Sequence, residues 1–254
     1  MLALNPLKFF PLVMPGDDLV ELIISSLSES NLSLENNDIL VLAQKIISKS
    51  EGRQINLELV EPSPKAIELG KRCEKDPRLI ELILRESKKV LRVRPGTIIV
   101  EHKLGFICAN AGIDHSNVQS EYFPSEKNVL LLPENPDKSA QLIKNRLDVF
   151  FGVQIGIMII DSHGRPWRLG VVGSSIGFAG LPGLVDMRGK PDLFGEELRI
   201  TQIAVADELA GAASLLMGQA NEGLPAIHVR GFPYPLKEGK FQDLIRPIEL
   251  DMFR

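Results

Sequence analysis

An α+β fold with mixed sheets and packed helices is what this sequence predicts, on three observations. Segments with apolar residues at helical spacing interleave with short, apolar, strand-like runs. They do so without the regular alternation that a doubly wound parallel sheet demands. The 254 residues are 44% hydrophobic and 24% charged, an ordinary globular balance that excludes a disordered or fibrous chain. No internal repeat, low-complexity stretch or flexible linker interrupts the pattern, so residues 1–254 are read as a single unit.

In chain order, the apolar amino terminus fails as a secretory signal. Asn5, Pro6 and Lys8 break the run, and Asp17 and Asp18 follow at once. Behind Asp18, a potential cap, Leu19, Ile23, Ile24 and Leu27 recur at the spacing of a surface helix. ILVLA, residues 39–43, reads as a strand that delivers Lys45, Lys49 and Arg53 beyond its carboxyl end. Residues 63–93 read as two helices broken near Asp76-Pro77, because proline disfavours helix in the residue before it. TIIVEH and FICANAGID read as a hairpin turning at Gly105. KSAQLIKNRLDVFFG is a helix, and VQIGIMIID a buried strand that stops at Asp161. The glycine-rich stretch 170–184 must be tightly turned or closely packed. A strand, a small-residue helix to about Met217, a loop and a last strand complete the chain.

Charge and composition exclude several functions. Lys and Arg total 29 against 33 Asp and Glu, and the net charge of −4 offers nucleic acid or an anionic membrane no general attraction. No apolar stretch reaches the roughly 18 residues of a membrane helix. Cys73 and Cys108, one in a charged segment and one in an apolar run, suggest neither a disulfide framework nor a zinc site. Together these features predict a soluble, unprocessed cytoplasmic protein with reduced thiols. The four histidines lack HExxH spacing, and neither GxSxG nor the P-loop order occurs.

Four constellations remain. Asn110, Asp114 and Asn117 make a loop rich in oxygen donors, suited to magnesium or manganese; the same residue types also simply form turns. Asp161, with Ser162 beside it and Arg165 and Arg168 beyond, suits a cation and phosphate or carboxylate oxygens, or merely caps a turn. The loop from Met217 to Leu224 can present amides to phosphate or a purine edge, or be a plain helix C-cap. Lys45 and Lys49, four apart on one helix face, suit an anion such as a triphosphate, or a solvated surface. From residue chemistry alone the reading is a cation-dependent enzyme acting on phosphates.

Taken in order, FPLVMPGDDL, DILVLAQKIISKSEGR, NAGIDHSNV, IIDSHGRPWRLGVVGSSIGFAG, KPDLFGEEL, ADELAGAASLLMGQANEG and PAIHVRG resemble the coenzyme F420-0:gamma-glutamyl ligase family, from about Phe10 to Gly231. The resemblance implies that family's fold, an intertwined homodimer with its active site near the subunit interface, and GTP-dependent ligation of L-glutamate to F420-0 through an acyl phosphate. An amide forms first, and further gamma-glutamyl bonds in some members. It further implies that Asp114 and Asp161 hold a divalent cation, Mg2+ or Mn2+, with Ser162 and Gln219 near a second, and K+ as another candidate ion. Phe10, Pro11, Leu12 and Val13 match the segment along the guanine nucleotide, Gln44 and Lys45 its next contacts, and Lys49 a phosphate-facing lysine. Asn117 with Met217, Gly218, Gln219, Ala220, Asn221, Glu222, Gly223 and Leu224 completes the nucleotide site. Gln219 stands where many relatives carry glutamate, which implies a weaker second cation site. Two alternatives stand beside this reading: a metal-dependent phosphohydrolase, and a catalytically silent nucleotide-binding module on the same scaffold.

Overall fold

The computed structural model describes residues 1–118 and 127–252. The chain opens with β1 (Ala3–Pro6), a strand that nothing in the sequence pattern announces. α1 (Leu19–Glu29) follows, its first turn closed by the Asp18 carboxylate, which accepts from the Val20 and Glu21 amides. β2 (Ile39–Ala43) runs straight into α2 (Gln44–Ser50). After β3 (Gln54–Asn56) come α3 (Pro64–Cys73) and α4 (Pro77–Arg85), each with proline in its first turn behind a capping Ser63 or Asp76.

Here the structure corrects the sequence reading. The second helix ends at Arg85, and Ser87–Arg94 is a strand, β4, paired antiparallel with β5 (Thr97–His102). Its alternation of basic and apolar residues has the period of a half-exposed strand, which two register shifts obscure. The turn at Gly105 then leads to β6 (Ile107–Ala109), as expected.

β7 (Asn128–Leu130) pairs with β3, and α5 (Pro136–Phe151) leads into β8 (Gly156–Arg165) and β9 (Arg168–Ala179). β8 does not stop at Asp161. It continues to Arg165, because Pro166-Trp167 closes a two-residue hairpin with Trp167 at φ 66°. The glycine-rich stretch is therefore mostly strand, and close packing is what its glycines serve. A Cβ at Gly173 would lie 2.5 Å from the Ala210 carbonyl oxygen, and one at Gly177 would lie 2.6 Å from the Pro136 carbonyl carbon. The register shift opposite Ile159/Ile160 inserts an extra residue between Ser175 and Gly177, so the two glycines face opposite sides. β10 (Val185–Asp186) and β11 (Gln202–Ile203) form a small ladder, and α6 (Val205–Met217) and β12 (Ala226–Arg230) follow.

The main sheet has the order β1-β12-β2-β8-β9, parallel between β2 and β8 and antiparallel elsewhere. β2 is covered on both faces: Ile39, Leu40, Val41 and Leu42 are fully buried, which explains its unbroken apolar run. α6 packs over β9 at Gly173, and the start of α5 packs over it at Gly177. Mixed sheets with packed helices are thus observed as predicted. No helix among the described residues is long and apolar enough to cross a membrane.

Candidate active site

β2 and β8 run parallel, with Ala43 opposite Ile160, so their carboxyl-terminal halves deliver Gln44 and Asp161 to the same end of the sheet. Ligands commonly bind outside such strand ends. A cavity of about 720 Å³ opens there, within the size range of pockets that hold small molecules. Most of the residues singled out for cation and nucleotide lie on its wall: Phe10 to Val13 before α1, three residues of α2, Asp114 and Asn117, Asp161 and Ser162, and the loop 217–224 after α6. Asn110 does not line it; its side-chain oxygen accepts from the Ile98 amide instead. Arg165 and Arg168 also lie off the wall, on the exposed part of the β8–β9 hairpin.

Asp114 is held on both its main chain and its side chain. Its backbone exchanges two hydrogen bonds with Leu130, 2.9 and 3.0 Å long. Its Oδ2 accepts from Gln44 Nε2 at 2.7 Å and lies 3.5 Å from Lys45 Nζ. Gln44 is buried, and Ser48 donates to its Oε1, which sets the amide with its nitrogen toward Asp114. Lys45 Nζ also donates to the Ser116 carbonyl and hydroxyl oxygens. Burial pushes the Asp114 carboxyl up to about 6, and the negative charge of Asp161 adds to this, while Lys45 and Gln44 oppose it. Lys49, half-buried behind Lys45, has its ammonium pulled down by burial and by that like charge.

On β8, neighbouring side chains alternate between faces. Asp161 shares a face with His163, whose Nε2 lies 3.0 Å from Asp161 Oδ2. Ser162 faces the other way. It stands opposite Gly173, over which α6 packs. There Gln219 Nε2 donates to Ser214 Oγ at 3.2 Å. The loop after α6 is tied down from two sides: Asn117 Nδ2 donates to the Ala220 carbonyl, and the Ala220 amide donates to Glu222 Oε2. The Glu222 carboxylate is thus folded back on its own loop, and those amides hold it below the usual carboxylate range. Sequence reasoning left His163, Ser116 and Ser214 out of the site. Only His163 had a readable signal, its two-residue spacing from Asp161.

The donors fit a hard divalent cation. Two carboxylates share a partly buried wall, close enough that the charge of one raises the proton affinity of the other; a divalent ion would relieve that repulsion. Among the described residues no three His, Cys, Asp or Glu side chains form a closed metal centre. An ion such as magnesium is commonly bound by one or two carboxylates together with substrate phosphates. Two lysines on the same wall add positive charge for an anion.

A profile of the family described as F420-0:Gamma-glutamyl ligase matches residues 9–231. The chain is 46% identical to the Coenzyme F420:L-glutamate ligase of Methanothermobacter thermautotrophicus, over all of this chain and 99% of that protein. It is likewise 46% identical to the protein of that name from Methanopyrus kandleri, over all of this chain and 98% of the relative. Against the one from Archaeoglobus fulgidus it is 40% identical, over 98% and 95% of the two chains.

Proposed function

The chain belongs to the F420-0:gamma-glutamyl ligase family, and from that premise we propose that it is a GTP-dependent ligase joining L-glutamate to the coenzyme precursor F420-0. The observation that carries the site reading is the convergence of Asp114 and Asp161 with Lys45 and Lys49 on one cavity.

A substrate carboxylate oxygen attacks the γ-phosphorus of GTP, the bond from that phosphorus to the β–γ bridging oxygen breaks, and GDP leaves. The product is an acyl phosphate. The glutamate amine then attacks the acyl carbon, the carbon–oxygen bond to phosphate breaks, and the nitrogen gives up a proton as the amide forms. Phosphoryl transfer is governed chiefly by in-line positioning and neutralisation of charge. Phe10 to Val13 would lie along the base, Lys45 and Lys49 would meet phosphate oxygens, and the loop braced by Asn117 would complete the nucleotide site. Asp114 and Asp161 would hold one Mg2+ or Mn2+ and Ser162 and Gln219 a second, which when bound would neutralise β- and γ-phosphate charge; K+ is a further candidate ion.

The same reading makes the protein a homodimer. Its support is a set of exposed apolar side chains, Leu169, Leu193, Phe194 and Leu215, which a partner would cover. The small residues of α6, Ala206, Ala210 and Ala213 among them, are buried within the chain.

The test is incubation with F420-0, GTP, L-glutamate and Mn2+, followed by mass spectrometry. One added glutamate residue, strictly dependent on GTP and a cation, is the expected result. Phosphate release without either acceptor would instead favour the hydrolase, and cation-indifferent GTP binding without turnover the silent module.

A further inference from the structure

His163 lies on the cavity wall beside Asp161, and the proposed mechanism leaves it idle. Its Nε2 is buried and makes no hydrogen bond, yet it lies 3.0 Å from Asp161 Oδ2, with each side chain only 13% exposed. The imidazole packs against one member of an aromatic cluster. It is tilted against Phe106 at a centroid distance of 5.1 Å, Phe106 is stacked on His102, and Phe241 meets Phe106 edge-on. Phe241 is itself pinned, since its amide donates to the Asp137 carboxylate. Leaving a buried polar nitrogen unpaired is unfavourable.

We propose that His163 is a positioning residue for Asp161: its imidazole N–H pairs with Oδ2, which turns Oδ1 toward the nucleotide-bound cation. The proposal rests on the reading of Asp161 as a cation ligand. A ligand carboxylate with one oxygen already fixed loses less freedom when it engages an ion, and such outer partners typically change metal affinity about 10- to 100-fold.

The experiment is a Mn2+ titration of the full chain with GDP present, followed by the electron paramagnetic resonance signal of free Mn2+, with no turnover needed. H163F keeps an aromatic ring against Phe106 but has no donor; Mn2+ should bind about tenfold more weakly. H163Q, whose amide nitrogen reaches the place of Nε2, should restore most of the affinity. Wild-type Mn2+ affinity in H163F overturns the proposal, and so does an equal loss in H163F and H163Q. Should H163F fail to fold, H163N, too short to reach the carboxylate, takes its place against H163Q, and equal affinities again overturn it. Asp161→Ala separates the two levels. Undiminished Mn2+ binding in that variant removes the cation-ligand reading and the proposal with it, whereas loss there with retention in H163F removes the proposal alone.

Discussion

At Asp161 the carboxylate sits well along β8, where backbone pairing with β9 supplies the local stability whatever the side chain does. Asp161→Ala is therefore expected to lower kcat/KM about a hundredfold or more, several kcal/mol of charge stabilisation, while circular dichroism stays that of the wild type; global unfolding would contradict the assigned role. His102, which does not line the cavity, offers a titration. It is 2% exposed, its Nδ1 accepts from the Leu104 amide at 3.0 Å, and burial pushes its pKa down to about 4, with the Lys103 charge adding. The unfolded chain takes up this proton near pH 6.5, so between about pH 6.5 and 4 the unfolded state holds more protons and stability falls as pH drops. His102→Asn keeps an acceptor for Leu104 but does not titrate. In denaturant titrations across pH, the wild type should lose about 3 kcal/mol of stability relative to the variant from pH 7 to 4; a pH-independent difference would contradict this. Sequence spacing could show that Asp161 and His163 share a strand face. That Gln44 would be buried and aimed at Asp114, 70 residues away, needed the fold.

At the scale of elements, what decides the site is how closely α6 lies on β9. Gly173 leaves no room for a side chain: its Cβ would fall 2.4 Å from Ser214 Cβ and 2.5 Å from the Ala210 oxygen. Gly173→Ala is expected to lift α6 from the sheet, cost about 1–3 kcal/mol as overpacking does, and carry Ser214 and Gln219 away from Ser162. A thermal midpoint equal to the wild type would show that the helix accommodates the methyl. The glycine-rich composition gave warning of close packing, but not of which face each glycine serves, because an extra residue in one strand inverts the alternation beyond it. Ser87–Arg94 was illegible for a related reason. Its charged residues and register shifts hide the period of two, and the helix before it supplies a misleading continuation. Long uniform segments such as α5 and β2 were legible because burial repeats along them.

For the whole molecule, the parallel pair β2 and β8 gathers segments from distant parts of the chain into one cavity. No spacing rule joins Phe10, Asp114 and Gln219. What united them in the sequence was the order of motifs, while residue chemistry alone left each open to a bland reading. Asn110 and the two hairpin arginines show the limit of that chemistry, since the right residue types stand off the cavity wall. Burying Asp114 near Asp161 raises its proton affinity, an effect that a bound divalent ion would reverse. The most direct measurement is a crystal structure with GDP and Mn2+, read by anomalous scattering. The account predicts a manganese peak bonded to carboxylate oxygens of both Asp114 and Asp161 and to nucleotide phosphate; GDP bound in the cavity with manganese touching neither aspartate would contradict it.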